Sequence, residues 1–231
     1  MRIDKHINKT NWEEIEDILS DITEIESLDL SYMGLTEFPK MSHITIIEWF
    51  KCSYNQISSF KDCPIIGGSL DCSFNQITSF KDCPKINGNF WCNNNQLKSF
   101  KDCPIIGGSF NCSFNQITSF KDCPVINDSF YCSDNKITSF KGCPRIKGNF
   151  DCYNNKITSF KDCPEIGSEL LSDFRIFDNV HKYSKERKIS LLESQVELYN
   201  KQDDEILAHI DKFPDLVAYH RMKELNKLLC T

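Results

Sequence analysis

The chain has 231 residues, with 27 Lys and Arg against 33 Asp and Glu, for a formal net charge of −6. That balance argues against binding nucleic acid through its phosphates, which needs a positive face. No run approaches the 18 apolar residues that a membrane span requires. The charge is uneven: residues 1–46 hold 4 basic and 10 acidic side chains, 47–166 hold 13 and 11, and 167–231 hold 10 and 12.

In chain order, Thr10 or Asn11 can cap a helix that carries Trp12, Ile15, Leu19 and Ile22 on one face. No signal peptide is expected, because Asp4, Lys5, His6 and Asn8 break the first apolar stretch. A degenerate unit follows, Ile25-x-x-Leu28-x-Leu30-x-x-Met33-x-Leu35-x-x-Phe38-Pro39. Six near-identical units of 20 residues then run in tandem, aligned on Asn55, Asn75, Asn95, Asn115, Asn135 and Asn155. Each reads x-x-x-Φ-x-Cys-x-x-Asn-x-Φ-x-x-Phe-x-x-Cys-Pro-x-Ile, where Φ is apolar. Such a period signals a solenoid, whose units are too small to bury their own apolar face and must cover one another.

Positions 4 to 6 of each unit predict a short parallel strand, with positions 4 and 6 inward and 3, 5 and 7 outward. The asparagine at position 9 sits where the chain leaves the strand, and its amide can serve backbone groups that the turn leaves unpaired. Met33 stands in its place in the degenerate unit, so the ladder is expected to begin one repeat later. On the back, Cys-Pro disfavours helix and predicts extended, polyproline-like chain. Gly67-Gly68, Asn87-Gly88, Gly107-Gly108 and Asn127-Asp128 are expected to take positive φ on the return to the next strand. Lys61, Lys81, Lys101, Lys121, Lys141 and Lys161 form a ladder at position 15, which the neighbouring Asp62, Asp82, Asp102, Asp122 and Asp162 should neutralise.

Thirteen cysteines would suggest disulfides in a secreted chain. Twelve recur strictly, Cys52 to Cys152 at position 6 and Cys63 to Cys163 at position 17, both read as interior. Reduced cysteine packs as a small hydrophobe in a reducing cytosol, and stacked parallel Cβ vectors suit a disulfide poorly. With no Cys-x-x-Cys pair and no neighbouring histidine, no metal is expected. The chain is therefore expected to be cytoplasmic.

After residue 170 the repeat fails. Ile189, Leu192, Val196 and Tyr199, then Ile206, Leu207, Ile210 and Phe213, then Leu216, Met222, Leu225 and Leu229 predict three helical segments. The expected organisation is an N-terminal helical cap over 1–24, a repeat array over 25–170 and a C-terminal helical cap or subdomain over 171–231.

The phrase Phe90-x-Cys92-x-x-Asn95-x-Leu97 resembles the leucine-rich repeats, with cysteine where that family has leucine. The 20-residue length and Cys-Pro turn look like the short repeats of bacterial effectors and of phage and giant-virus proteins. The resemblance implies a right-handed superhelix with a concave parallel sheet and non-catalytic recognition of a protein partner. It further implies a viral or phage protein that binds a host protein, for instance as an inhibitor of a defence factor. Some effectors of this kind carry a ubiquitin-ligase domain with a nucleophilic cysteine, but this tail has only Cys230 and is too short for one.

Nothing in the sequence announces catalysis. His6, His43, His181, His209 and His220 lie outside the six regular repeats, and no nucleotide, nucleophile-elbow or metalloprotease motif is present. No cofactor, nucleic acid or membrane is expected. The candidate partner surface is the variable residues that face out from the strands: Trp49, Lys51, Tyr54, Asp71, Phe74, Trp91, Asn94, Asn111, Phe114, Tyr131, Asp134, Asp151 and Tyr153. Aromatic anchors among small polar residues make such a face suited to binding protein. Trp91 and Tyr131, with Asn111 between them, are the expected anchors, whereas Phe74 and Phe114 can equally fold over the sheet edge and pack. Two other readings stand beside this one: an adaptor whose helical tail binds a second protein, and a small-ligand binder or enzyme with a pocket the sequence does not announce.

Overall fold

The computed structural model of the protein describes residues 17, 19–157, 162–168, 170 and 171. Nine parallel strands make one sheet: β1 (Glu24–Asp29), β2 (Thr45–Lys51), β3 (Ile65–Ile66), β4 (Ser69–Asp71), β5 (Phe90–Trp91), β6 (Phe110–Asn111), β7 (Phe130–Tyr131), β8 (Phe150–Asp151) and β9 (Leu170–Leu171). Eight of them stack in sequence order, with β3 beside β2. Like residues pair across the stack, so that Phe90 meets Phe110 and Phe110 meets Phe130. The sequence repeat has become a spatial repeat.

Positions 4 and 6 do point inward, and Phe90, Cys92, Phe110 and Cys112 are wholly buried. Position-4 phenylalanines form a column with centroids 5.5 Å apart from Phe90 to Phe110 and from Phe110 to Phe130. Position-14 rings meet that column edge-on, as Phe100 does Phe110 at 6.2 Å. Edge and stacked pairs of this kind are each worth roughly 0.5–1.5 kcal/mol beyond the area they bury. At position 17, Cys63 and Cys163 are buried as expected, and the other four are less enclosed though still packed on the core. Cys83, Cys103, Cys123 and Cys143 are half-buried, because the chain there runs along the outer wall. Cys52, Cys63, Cys72, Cys83, Cys92, Cys103, Cys112, Cys123, Cys132 and Cys143 are free thiols.

The asparagine ladder forms as read. Asn95 Nδ2 donates to the carbonyls of Cys72 (3.0 Å) and Cys92 (3.1 Å), and its Oδ1 accepts from the Ile77 amide at 2.9 Å. Each amide thus ties its own coil to the one before. Asn55 reaches back to serve the Met33 and Leu35 amides, which accounts for a first repeat that has no asparagine of its own.

One backbone expectation is overturned. None of Gly67, Gly68, Gly88, Gly107 and Gly108 has positive φ. Their smallness serves close approach instead: a Cβ on Gly107 would lie 1.9 Å from the Asn87 carbonyl oxygen, and one on Gly68 2.0 Å from that of Glu48. Gly107→Ala is accordingly expected to lower stability by about 1–3 kcal/mol, as overpacking does. An unchanged urea midpoint would show that the coils can spread. Positive φ falls on Asp62, Asp82, Asp102, Asp122 and Asp162. Each described turn closes with a bond such as Cys83 N to Phe80 O at 2.9 Å, so a tight turn at Lys-Asp leads into the Cys-Pro stretch of the back. These aspartates were expected to neutralise the lysine ladder. Among the described residues only Lys61–Asp62 of those neighbours comes within ion-pair distance, at 3.9 Å. Asp tolerates the left-handed region, and Gly142 replaces it in one repeat with φ 84°.

At the amino end, Leu19 is buried and Ile22 packs on the core. The rest of the expected N-terminal helix, including Thr10, Asn11, Trp12 and Ile15, lies outside the described residues, as do the three expected C-terminal segments. Among the described residues no helix is long and apolar enough to cross a membrane.

Candidate functional site

The open face of the sheet is built from positions 3 and 5, flanked by position 8 where the chain turns away. Position 5 alternates along the stack: Asp29, Lys51, Asp71, Trp91, Asn111, Tyr131, Asp151. Every second residue carries a side-chain carbonyl oxygen, and in each case it accepts the amide two residues on. The distances are 2.9 Å from Ser31 to Asp29 and 3.0 Å from Ser73 to Asp71, Ser113 to Asn111 and Tyr153 to Asp151. Asp71 also accepts the Ser73 hydroxyl at 2.6 Å. Three expected partner contacts, Asp71, Asn111 and Asp151, therefore hold the turn that ends their own strand. Lys51, Trp91 and Tyr131 cannot make that bond, and the turn folds without it.

The tryptophans meet across an intervening strand. Trp49 on β2 and Trp91 on β5 stack with centroids 4.9 Å apart and planes 26° from parallel, above β4. The buried Ser69, which pairs with Trp49, is small enough to let the indole lie over it. Lys51 Nζ stands 5.9 Å from the centre of the Trp49 ring, within cation–π range. Trp91 was expected to anchor a partner jointly with Tyr131 across Asn111. Its ring stacks on Trp49, and half-buried Tyr131 stands two strands further along.

Position 8 holds the least expected feature. Tyr54, Phe74, Asn94, Phe114, Asp134 and Asn154 all have φ between 53° and 55°, and Tyr32 has 60°. Asn and Asp visit this region readily, but for Phe and Tyr it is an outlier costing on the order of 1 kcal/mol. Tyr32, Tyr54 and Phe74 recover part of that by stacking, at 4.4 Å and 4.2 Å with planes 8° apart. Phe114 sits between Asn94 and Asp134 in the column, is 53% exposed, and has no ring partner among the described residues. Asp134 accepts a hydrogen bond from the Asn154 amide, and Tyr153 is exposed at position 7. Position 7 otherwise turns inward, for Ser53, Ser73, Ser113 and Ser133 are buried against the ladder.

No protein-family model matches the chain, and no curated protein matches it. Among solved structures a similar chain is that titled "Structure of Shigella effector LRR domain", at 15% identity and a TM-score of 0.41, over 70% of this chain and 94% of that one. Strands in sequence order, a 20-residue coil and an asparagine bridging each pair of coils give the chain a parallel β-solenoid fold like that of short leucine-rich repeats.

Proposed function

We propose that this protein is a non-catalytic recognition module that binds a partner protein through the open face of its sheet. The observation that carries the reading is Phe114, an exposed ring in a backbone conformation that asparagine or aspartate fills without strain in the neighbouring repeats. A strained residue kept half-exposed, with no ring partner among the described residues, points to use by something outside the chain. Trp49, Trp91 and Tyr131 on the sheet and Tyr54 and Phe74 beside them extend the same surface. Aromatic anchors of this kind supply most of the affinity at protein interfaces.

The finer reading follows from the resemblance to short-repeat effector and viral proteins. The partner is a host protein met in the host cytosol, where reducing conditions suit a cysteine-lined interior. The helical ends, over 1–24 and 171–231, act as caps of the array.

Phe114→Asn separates the two readings of the ring. As a position-8 residue it is expected to leave stability unchanged or raise it by about 1 kcal/mol, by relieving the left-handed strain. The same change is expected to weaken capture of the partner from host lysate by about tenfold or more, as loss of a hot spot does. Destabilisation with normal capture would make Phe114 a packing residue and remove the main support for this surface.

A further inference from the structure

We infer that the partner presents a cationic segment, with Arg or Lys side chains, to the Trp49–Trp91 end of the sheet. This rests on the sheet-face reading above and names its chemistry. The first strands of the stack, β1, β2 and β4, carry Glu26, Asp29, Glu48 and Asp71 against the single cation Lys51, while Glu24 lies toward the return side, level with Ile65. Strands β5 to β8 carry one ionisable carboxylate, Asp151, with Asp128 and Asp134 bordering β7, so the carboxylates on the strands themselves are densest at the amino-terminal end. Among these carboxylates the aromatic surface is at its widest, with Trp49 stacked on Trp91 and, beside them, the column Tyr32, Tyr54, Phe74.

Indole faces surrounded by carboxylates favour a cation, through the ring quadrupole and through Coulomb attraction. The chain provides its own demonstration. Lys51 stands over Trp49 at 5.9 Å, an ammonium already in the place a partner's guanidinium would take. Arginine suits the site best, since its planar group stacks on an aromatic face while its N–H fork reaches a carboxylate. Asp71 stands on β4, the strand between those that carry the two tryptophans, pairs with Trp91 in the register, and lends one oxygen to Ser73, which fixes where its charge stands. Lys51 competes for the ring and opposes the incoming charge, so it sets a threshold against weakly cationic partners.

The test uses the full chain and an acetylated, amidated octapeptide of alternating Gly and Arg, with the Gly-Glu counterpart as control. Binding is read from the indole N–H signals of Trp49 and Trp91, assigned with W49F and W91F, and from the methyl signals of Ile105 and Val125. The arginine peptide is expected to shift both signals, and the glutamate peptide neither. Lys51→Met keeps the stem over the ring but removes the charge, and is expected to tighten arginine-peptide binding about threefold or more. Asp71→Asn is expected to loosen it by a similar factor while folding normally, because Asn111 makes the same turn bond one coil pair away. Loosening by Lys51→Met, or glutamate-peptide binding at these indoles, would overturn the cationic assignment and leave the sheet-face reading intact. Silence of both indoles with both peptides would overturn it as well. A response confined to Ile105 and Val125, exposed on the return side of the coil, would sink both.

Discussion

Asn95→Ala is expected to destabilise the fold by about 3–5 kcal/mol, a large share of what holds most domains together. The side chain is 8% exposed, and besides a long 3.4 Å bond to the Asn93 carbonyl three backbone groups depend on it. Two of them have a second donor. The Cys72 carbonyl also accepts from Asn75 at 3.1 Å, and the Cys92 carbonyl from Asn115 at 3.1 Å. The Ile77 amide does not, since Asn95 Oδ1 at 2.9 Å is its described partner. An orphaned buried N–H costs roughly 1–3 kcal/mol, and the two lost bonds to carbonyls add about 1 kcal/mol each. Asn95→Asp makes the comparison informative. It keeps an acceptor for Ile77 but turns a carboxylate toward two carbonyl oxygens, so its stability should recover as pH falls and the acid gains a proton to donate. Denaturant unfolding of both variants, at neutral and mildly acid pH, reads the difference. A loss below about 1 kcal/mol for the alanine variant would mean that water replaces the amide and the ladder is not what joins the coils.

The ladder and the strand register were legible because both depend on a residue type recurring at one position of a strict period. Once Phe90, Phe110 and Phe130 share a position, stacking in register is the one arrangement that buries them all. The glycines misled for a physical reason. Sequence shows that a Cβ is unwelcome at Gly68 and Gly107, but not whether the obstacle is φ or a neighbouring coil's carbonyl, and here it is the carbonyl. The left-handed aspartates had left a trace, since Gly142 takes their place in one repeat. The alternation of Asx with Lys51, Trp91 and Tyr131 was also written in the chain, and reading position 5 two coils at a time would have separated turn-holding residues from free ones. The Trp49–Trp91 stack was not legible. It joins position 3 of one coil to position 5 of the coil after next, and only the three-dimensional stack brings those together. Strain at Phe114 was equally hidden, because a phenylalanine at the end of a strand gives no sign of its φ.

The interior thiols predict an alkaline limit to stability. Burial pushes Cys52, Cys63, Cys72, Cys92, Cys112 and Cys132 well above the ordinary thiol range, and neighbouring thiols and carboxylates add to this for several of them. Below about pH 8 each is protonated whether the chain is folded or not, and pH has no effect through them. Above the ordinary thiol value of about 9 the unfolded chain loses these protons while the folded chain keeps them. The unfolded state then binds fewer protons, so stability must fall as pH rises. One unit above that value, each thiol contributes about 1.4 kcal/mol of loss, and these six together roughly 8 kcal/mol. That is comparable to the whole stability of a typical domain, so the protein is expected to unfold between about pH 9.5 and 10.5. Thermal unfolding under reducing conditions should be flat from pH 7 to 8 and decline steeply thereafter. At pH 8 these same thiols should resist a thiol reagent until denaturant is added, because the thiolate is the reactive form and the fold suppresses it. A midpoint that holds to pH 10, or rapid labelling of the native chain at pH 8, would show that the thiols are open to water and that the interior is not closed around them.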